Sequence, residues 1–230
     1  HEDFGTYPRT LDADVAALHA TGGVDFVFAP EGAEMYPKGS DHGGLLRPYI
    51  DLEGVDGVGE GARRPGFFRG VATVVAKLLN IVRPDALYLG QKDGLQCVVI
   101  QRLIDDLNFD TSLVVGPTVR EADGLAMSSR NVYLTPAERA AAPATYAALR
   151  ALAASRAGGE ASTAALRAAA AAVIDREPLM ELEYVSVAST TDGQELETLP
   201  PLGGGGVGGD AFASIALKIG KTRLIDNVLL

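Results

Sequence analysis

Cysteine is almost missing from this 230-residue chain: Cys97 stands alone. One thiol allows no intrachain disulfide and no CxxC metal site, and it suits a reducing, cytoplasmic setting. Cations are also in short supply, with 20 Lys and Arg against 30 Asp and Glu and a formal net charge of −10. Nucleic-acid binders carry a basic face, so a nucleic-acid partner is not expected. An acidic protein can still hold an anion where a few cations and backbone N–H groups converge. No run approaches the roughly 18 apolar residues of a membrane span, and no secretory or transit signal is visible. The three histidines, His1, His19 and His42, lie in no metal-ligand spacing. Walker A, a GxSxG elbow and a Ser-His-Asp order are all absent. What is there is 47% hydrophobic and 22% charged. That composition builds a core, in one large domain or in a domain plus a smaller one. The chain opens on His1 rather than methionine and enters a patterned segment at once, so its natural N-terminus is expected upstream.

The first half alternates helix and strand patterns. Thr10–Thr21 reads as a helix, stopped by Gly22-Gly23. Val24–Ala29 reads as a short strand, and Gly32–Gly66 as a long Gly- and Pro-rich stretch, either a functional loop or an irregular excursion. Helix Val71–Val82, strand Ala86–Leu89, helix Asp93–Leu107 and strand Ser112–Val115 follow. Such alternation argues for α/β architecture with a parallel sheet, and ligands bind such sheets at the strands' carboxyl ends. Gly90, Gln91 and Lys92 occupy one of these ends. The second half differs. Thr135-Pro136-Ala137-Glu138 is a capping box with proline at the first helical position. It opens an alanine-rich helix reaching about Arg156. Gly158-Gly159 breaks it, and a second helix spans about Ser162 to Arg176. Strand candidates Leu182–Val187, Phe212–Ile219 and Arg223–Val228 complete a small α+β domain. The boundary is placed near Pro117–Val119, giving residues 1–118 and 119–230. The glycine run Gly203–Gly209 reads as a flexible loop.

Two segments carry candidate chemistry. Lys92 follows a buried strand and precedes a helix, whose N-terminus favours anions. It is either a phosphate contact or a solvated turn lysine. Asp93 and Gln96 have the spacing of a capping box. Gly90 either permits a tight turn or lets a ligand approach the backbone. The second segment is Met127-Ser128-Ser129-Arg130, whose hydroxyls and guanidinium suit phosphate oxygens; a surface turn is its plain alternative. Arg63-Arg64 is an anion clamp or a solvated pair. Cys97, in an apolar helix, reads as core rather than nucleophile.

Taken in order, the motifs resemble those of the pantothenate synthetases, the pantoate–β-alanine ligases of the nucleotidylyltransferase superfamily. The resemblance runs through Glu2-Asp3-Phe4, Tyr7-Pro8-Arg9-Thr10, Val24–Pro30 and Glu34-Met35-Tyr36-Pro37. It continues through Arg64-Pro65-Gly66, Phe68-Arg69-Gly70-Val71 and Ile81-Val82-Arg83-Pro84-Asp85. Gly90 with Lys92-Asp93 and Gln96, Pro117 to Asn131, and Thr222–Asn227 complete it. It implies a Rossmann-like parallel sheet, incomplete at the N-terminus, with a second, smaller lid domain. It implies ATP and Mg²⁺, the small-molecule substrates pantoate and β-alanine, and a homodimer. Carried over, Lys92 holds phosphates; Gly90, Asp93 and Val119 line the nucleotide; Met127, Ser128, Ser129 and Arg130 grip ATP as a mobile loop. Gln96 hydrogen-bonds pantoate, and Arg64 stands beside the active site.

Three departures accompany the match. The family's N-terminal segment, with its H-x-G-H motif and the first strand and helix of the sheet, is absent. Apolar surface is therefore expected to be exposed at the sheet, and the chain alone is expected to be poorly stable. Phe67 stands where the family usually has histidine. Gly94-Leu95 replaces an aromatic-glutamine pair, and Gly203–Gly209 reads as an insertion. Two rival readings are a degenerate, non-catalytic relative acting through interactions and a nucleotidylyltransferase with another acceptor.

Overall fold

The computed structural model describes residues 9–37, 48–57, 59–201 and 210–230. Expectations for His1, His42, the Glu2–Pro8 motifs and the Gly203–Gly209 loop lie outside the described residues. The chain forms two compact units, residues 1–48 and 49–230.

In the first unit, helix α1 (Leu11–Ala20) matches expectation but buries none of its residues. Val24–Ala29 is not a strand. A strand is held by its ladder, and no other strand exists among the described residues of this unit. Phe26 is 93% exposed there. The expected loop carries a short helix, α2 (Gly32–Met35), closed by reciprocal Glu31 and Glu34 capping bonds.

The second unit begins with the rest of that loop, which holds a 3-10 turn, Val55–Gly57, and helix α3 (Gly59–Arg63). Helix α4 (Phe67–Val82) starts four residues before the expected Val71, because Phe68, 1% exposed, already faces the core. Strand β1 (Ala86–Gly90), helix α5 (Gly94–Asp106) and strand β2 (Ser112–Gly116) follow. β1 and β2 pair in parallel, with Ala86 opposite Ser112 and Gly90 opposite Gly116. As expected, apolar surface is exposed at this sheet: Tyr88, Val114 and Val115 are all open to solvent.

The capping box forms as read: the Glu138 N–H donates to Thr135 Oγ1 at 3.3 Å, and the Thr135 N–H to Glu138 Oε2 at 2.8 Å. The helix it opens is not continuous. Pro143 divides it into α6 (Pro136–Ala141) and α7 (Ala144–Ala157). Proline has no N–H for the helical ladder and its ring crowds the preceding turn. Helix α8 (Thr163–Ile174) precedes an antiparallel sheet of β3 (Met180–Ser189), β4 (Ala211–Ile219) and β5 (Thr222–Leu229), in that order.

Strand alternation assigns β4 two faces. Ala211, Ala213, Ile215, Leu217 and Ile219 join Leu149, Leu152, Leu166 and Ile174 of α7 and α8 in one core. Phe212, with Ala188 of β3, faces the opposite way into a second core built from α4, α5 and the parallel sheet. The antiparallel sheet therefore packs on both faces, and its second face meets the beginning of α5.

Candidate active site

Gly90 ends β1, and the chain passes through a 3-10 turn, Gln91–Asp93, straight into α5. Gly90 adopts extended backbone (φ −87°, ψ 134°) that any residue can take. A Cβ on it would meet nothing within 4 Å, so the space in front of it is open to a ligand. Lys92 is half-buried, and its ammonium has no hydrogen-bond or ion-pair partner among the described residues. The Asp93–Gln96 capping box is not formed. Asp93 (φ −100°, ψ 58°) lies outside the extended region from which an N-cap side chain folds back. The Gln96 amide, one turn into α5, is accordingly not committed to capping and has no protein partner among the described residues. Cys97 is buried, and burial followed by the Asp93 charge raises its thiol to about 11; it is core, as expected.

The second segment, Val119–Arg130, folds back on itself. Arg120 and Ala126 form an antiparallel bridge, and the Met127 N–H donates to the Val119 carbonyl at 2.9 Å. Gly124 turns the chain at φ +95°. Asn131 Nδ2 donates to Glu121 Oε1 and to the Ala126 carbonyl, each at 3.2 Å. Arg139 of α6 holds Asp123 and Glu121 at 2.6 Å each, and its hydrogen bond keeps the Asp123 carboxyl below the usual carboxylate range. Val119 and Met127 remain exposed. Ser128 caps the 3-10 turn Ser129–Tyr133 by accepting from the Arg130 N–H at 3.2 Å. Two buried oxygens here, Thr118 Oγ1 and Asn131 Oδ1, have no hydrogen-bond partner. Buried polar atoms are normally paired, so these mark places for a water or a ligand.

The last strand connects these pieces. Asp226, 2% exposed, accepts two bonds from Arg120, at 2.5 and 3.0 Å. The Arg120 guanidinium also lies 3.7 Å over the Tyr146 ring and donates to the Gly124 carbonyl at 3.1 Å. Asn227, 1% exposed, donates from Nδ2 to the carbonyls of Gln91 and Lys92 at 2.5 and 2.9 Å. β5 thus touches both the Gln91–Asp93 turn and the Ser129–Tyr133 turn.

Arg64 belongs to a different cluster on the same strand. Its guanidinium lies 3.5 Å over Phe67 and meets Glu60 Oε1 at 3.3 Å. Phe67 is therefore a platform for Arg64. Glu60 is gripped by Arg223 of β5 at 2.9 and 2.8 Å and accepts from Tyr184 Oη at 3.1 Å. Burial alone would raise the Glu60 pKa; the bonds and charge of Arg223, with the Arg64 charge, hold it below its ordinary value. Burial beside Glu60 pushes the Tyr184 hydroxyl up.

The structure therefore groups Gly90, Lys92, Asp93 and Gln96 at the junction of β1 and α5. Val119 and Met127 to Arg130 lie on a second segment, and Arg64 lies in a third cluster. Sequence reading assigned no role to Glu60, Arg120, Arg223, Asp226 or Asn227. The available signal was an Asp-Asn pair inside an apolar strand.

The family described as pantoate-beta-alanine ligase matches residues 1–229. The pantothenate synthetase of Chloroflexus aggregans is 50% identical over 230 residues, covering all of this chain and 78% of the relative. That of Roseiflexus sp. (strain RS-1) is 52% identical over 229 residues, with 77% of the relative covered. The crystal structure of the Thermus thermophilus pantothenate synthetase superposes with a TM-score of 0.85 at 38% identity, over 99% of this chain and 77% of that one. The Francisella tularensis pantoate-beta-alanine ligase, complexed with beta-gamma ATP and beta-alanine, superposes at 0.70 and 33% identity, over 99% of this chain and 72% of that one. With its Lys92 turn and Ser128-Ser129-Arg130 segment set in this fold, the chain belongs to the pantoate–β-alanine ligase family.

Proposed function

We propose that the protein condenses pantoate with β-alanine to pantothenate, driven by ATP cleavage to AMP and pyrophosphate. The pantoate carboxylate attacks the α-phosphorus of ATP and pyrophosphate leaves, giving pantoyl adenylate. The β-alanine amine then attacks the acyl carbon, AMP departs with the bonding electrons, and the amine proton passes to solvent. Neither step needs a covalent enzyme intermediate, so positioning and charge stabilisation supply the catalysis.

The observation that carries this reading is the Gly90–Asp93 turn, which combines an uncommitted ammonium with open space before the strand end. In this assignment Lys92 acts as a point charge on the phosphates. Gly90, Asp93 and Val119 line the nucleotide, and Met127, Ser128, Ser129 and Arg130 close over it. Gln96, free of a capping role, hydrogen-bonds pantoate, and Arg64 contributes positive charge beside it. Residues 119–230 serve as a lid over the nucleotide-binding remainder, 1–118, in a cytoplasmic homodimer. Among the described residues no cluster of three His, Cys, Asp or Glu side chains is placed to hold a metal. Mg²⁺ would arrive with the triphosphate and offset its charge.

The test is pantoate-dependent ATP–pyrophosphate exchange, measured on this chain and on a form extended at its N-terminus. Exchange in either supports the ligase. ATP binding without exchange in both forms supports the degenerate relative instead. β-alanine-dependent AMP release excludes a different acceptor.

A further inference from the structure

We propose that Asn227, on the last strand of the C-terminal sheet, is a positioning residue for Lys92. The proposal rests on the ligase reading and adds the element that aims its phosphate-binding turn.

Every hydrogen-bonding group of the Asn227 side chain is engaged by this turn. Both Nδ2 hydrogens go to consecutive carbonyls, those of Gln91 and Lys92. Oδ1 accepts from Gln91 Nε2 at 3.3 Å. A carboxamide offers two donors and one acceptor oxygen, and the turn uses both kinds. The peptide unit is planar and trans, so its C=O and N–H point in opposite directions. Drawing the Gln91 and Lys92 carbonyls toward β5 therefore aims the Lys92 and Asp93 N–H groups away from β5 and fixes the backbone from which the Lys92 side chain departs. The contact is close-packed: a Cβ on Gly94 would lie 3.1 Å from Asn227 Nδ2 and 3.2 Å from the Phe212 ring. Gly94, with no side chain, leaves room for the amide to reach the turn.

The neighbouring residue does the same for the other segment. Asp226 accepts the Arg120 fork, and Arg120 Nη2 also reaches the Asn227 carbonyl at 3.4 Å. The Asn227 N–H in turn donates to Asp226 Oδ1 at 2.8 Å. One dipeptide of β5 thus fixes the Lys92 turn and the root of the Val119–Arg130 segment relative to each other. A phosphate gripped from both sides needs that relative placement.

The test compares Asn227→Ala and Asn227→Asp with the unaltered enzyme, in whichever form shows exchange. Asn227→Asp keeps the shape and removes both donors. Both variants should raise KM for ATP by roughly 10- to 100-fold, the scale of a misplaced binding group. KM for β-alanine should stay within about twofold. Amide hydrogen exchange at residues 91–94 should accelerate in both. Ile174→Val, a core change outside the site, controls for stability and should move neither readout. Unchanged KM for ATP with unchanged exchange at 91–94 would overturn the proposal, and so would an equal effect from Ile174→Val. Absence of exchange activity in the unaltered protein sinks the ligase reading instead. Hydrogen exchange at 91–94 then still decides the positioning claim.

Discussion

Replacing Arg223 with methionine removes the centre of a largely buried charged cluster. Arg223 holds Glu60 through two bonds and Glu183 through a third at 2.8 Å. The Glu60 and Glu183 side chains are only 11% and 13% exposed, and that of Arg223 is 24% exposed. Removing one partner of a fully buried pair costs about 3–5 kcal/mol, because the other charge stays buried. Here Arg64 and Tyr184 remain for Glu60, and Lys218 remains 3.5 Å from Glu183. The partial exposure of Arg223 reduces the cost further, so the expectation is about 2–3 kcal/mol. For a domain of this size that is a Tm loss of roughly 4–12 °C. The sign with pH follows from Glu60. In the parent protein its pKa lies below the ordinary 4.5, so its contribution is full above 4.5 and is lost as pH falls through the lower folded value. Without Arg223, burial is opposed only by the Arg64 charge and the Tyr184 bond, so the folded pKa moves up from its parent value. The penalty is then present at neutral pH and is relieved as Glu60 takes up a proton. Both effects narrow the gap between parent and variant as pH falls through 4.5. Urea denaturation followed by far-UV circular dichroism at pH 7 and pH 4 measures it. A gap under about 1 kcal/mol at pH 7, or one that does not shrink at pH 4, would refute the reasoning.

Three further outcomes follow from the geometry. Lys92→Met should lower pantoate-dependent ATP–pyrophosphate exchange by about 10²-fold or more. It should leave Tm nearly unchanged, because the ammonium has no partner to lose among the described residues; a large Tm loss would mean a structural lysine. Gly124→Ala should destabilise by roughly 1–3 kcal/mol, since φ is +95° and the new Cβ would sit 2.8 Å from Tyr146 Cδ1; a neutral urea midpoint would contradict that packing. Cys97, with its thiol raised to about 11, should resist a thiol reagent at pH 8 in the native protein and react only on unfolding; stoichiometric labelling without denaturant would show the site to be open.

The parts of the fold that were legible are those decided within a few residues. The Thr135–Glu138 box needs only one helical turn and forms as written. The β1–α5–β2 unit follows from an apolar run, a glycine and a helical period. Local signals failed where a non-local partner decides. Val24–Ala29 has the composition of a strand, but a strand without a neighbour leaves its backbone groups without a ladder. Pro143 lies inside the alanine-rich run read as one helix, and its missing N–H interrupts that helix. Asp93 and Gln96 have capping spacing, but the 3-10 turn ahead of α5 sets Asp93 in a backbone geometry that cannot cap.

The same distinction separates the proposed ligand contacts from the residues that hold their backbone. Lys92, Ser128 and Arg130 can be proposed from sequence because local turns present them. Arg223, Asp226 and Asn227 act on residues more than a hundred positions earlier, a separation that no spacing rule spans. Their trace in the sequence is energetic rather than periodic. Asp and Asn are poor strand formers, and burying them costs free energy unless each polar atom is paired. Asp226 and Asn227 are nonetheless 2% and 1% exposed in the middle of β5. A buried Asp-Asn pair in a strand implies partners with matching donors and acceptors. In this chain those partners are Arg120 and the carbonyls of the Lys92 turn, so the strand that completes the C-terminal sheet also ties together the Gln91–Asp93 turn and the root of the Val119–Arg130 segment.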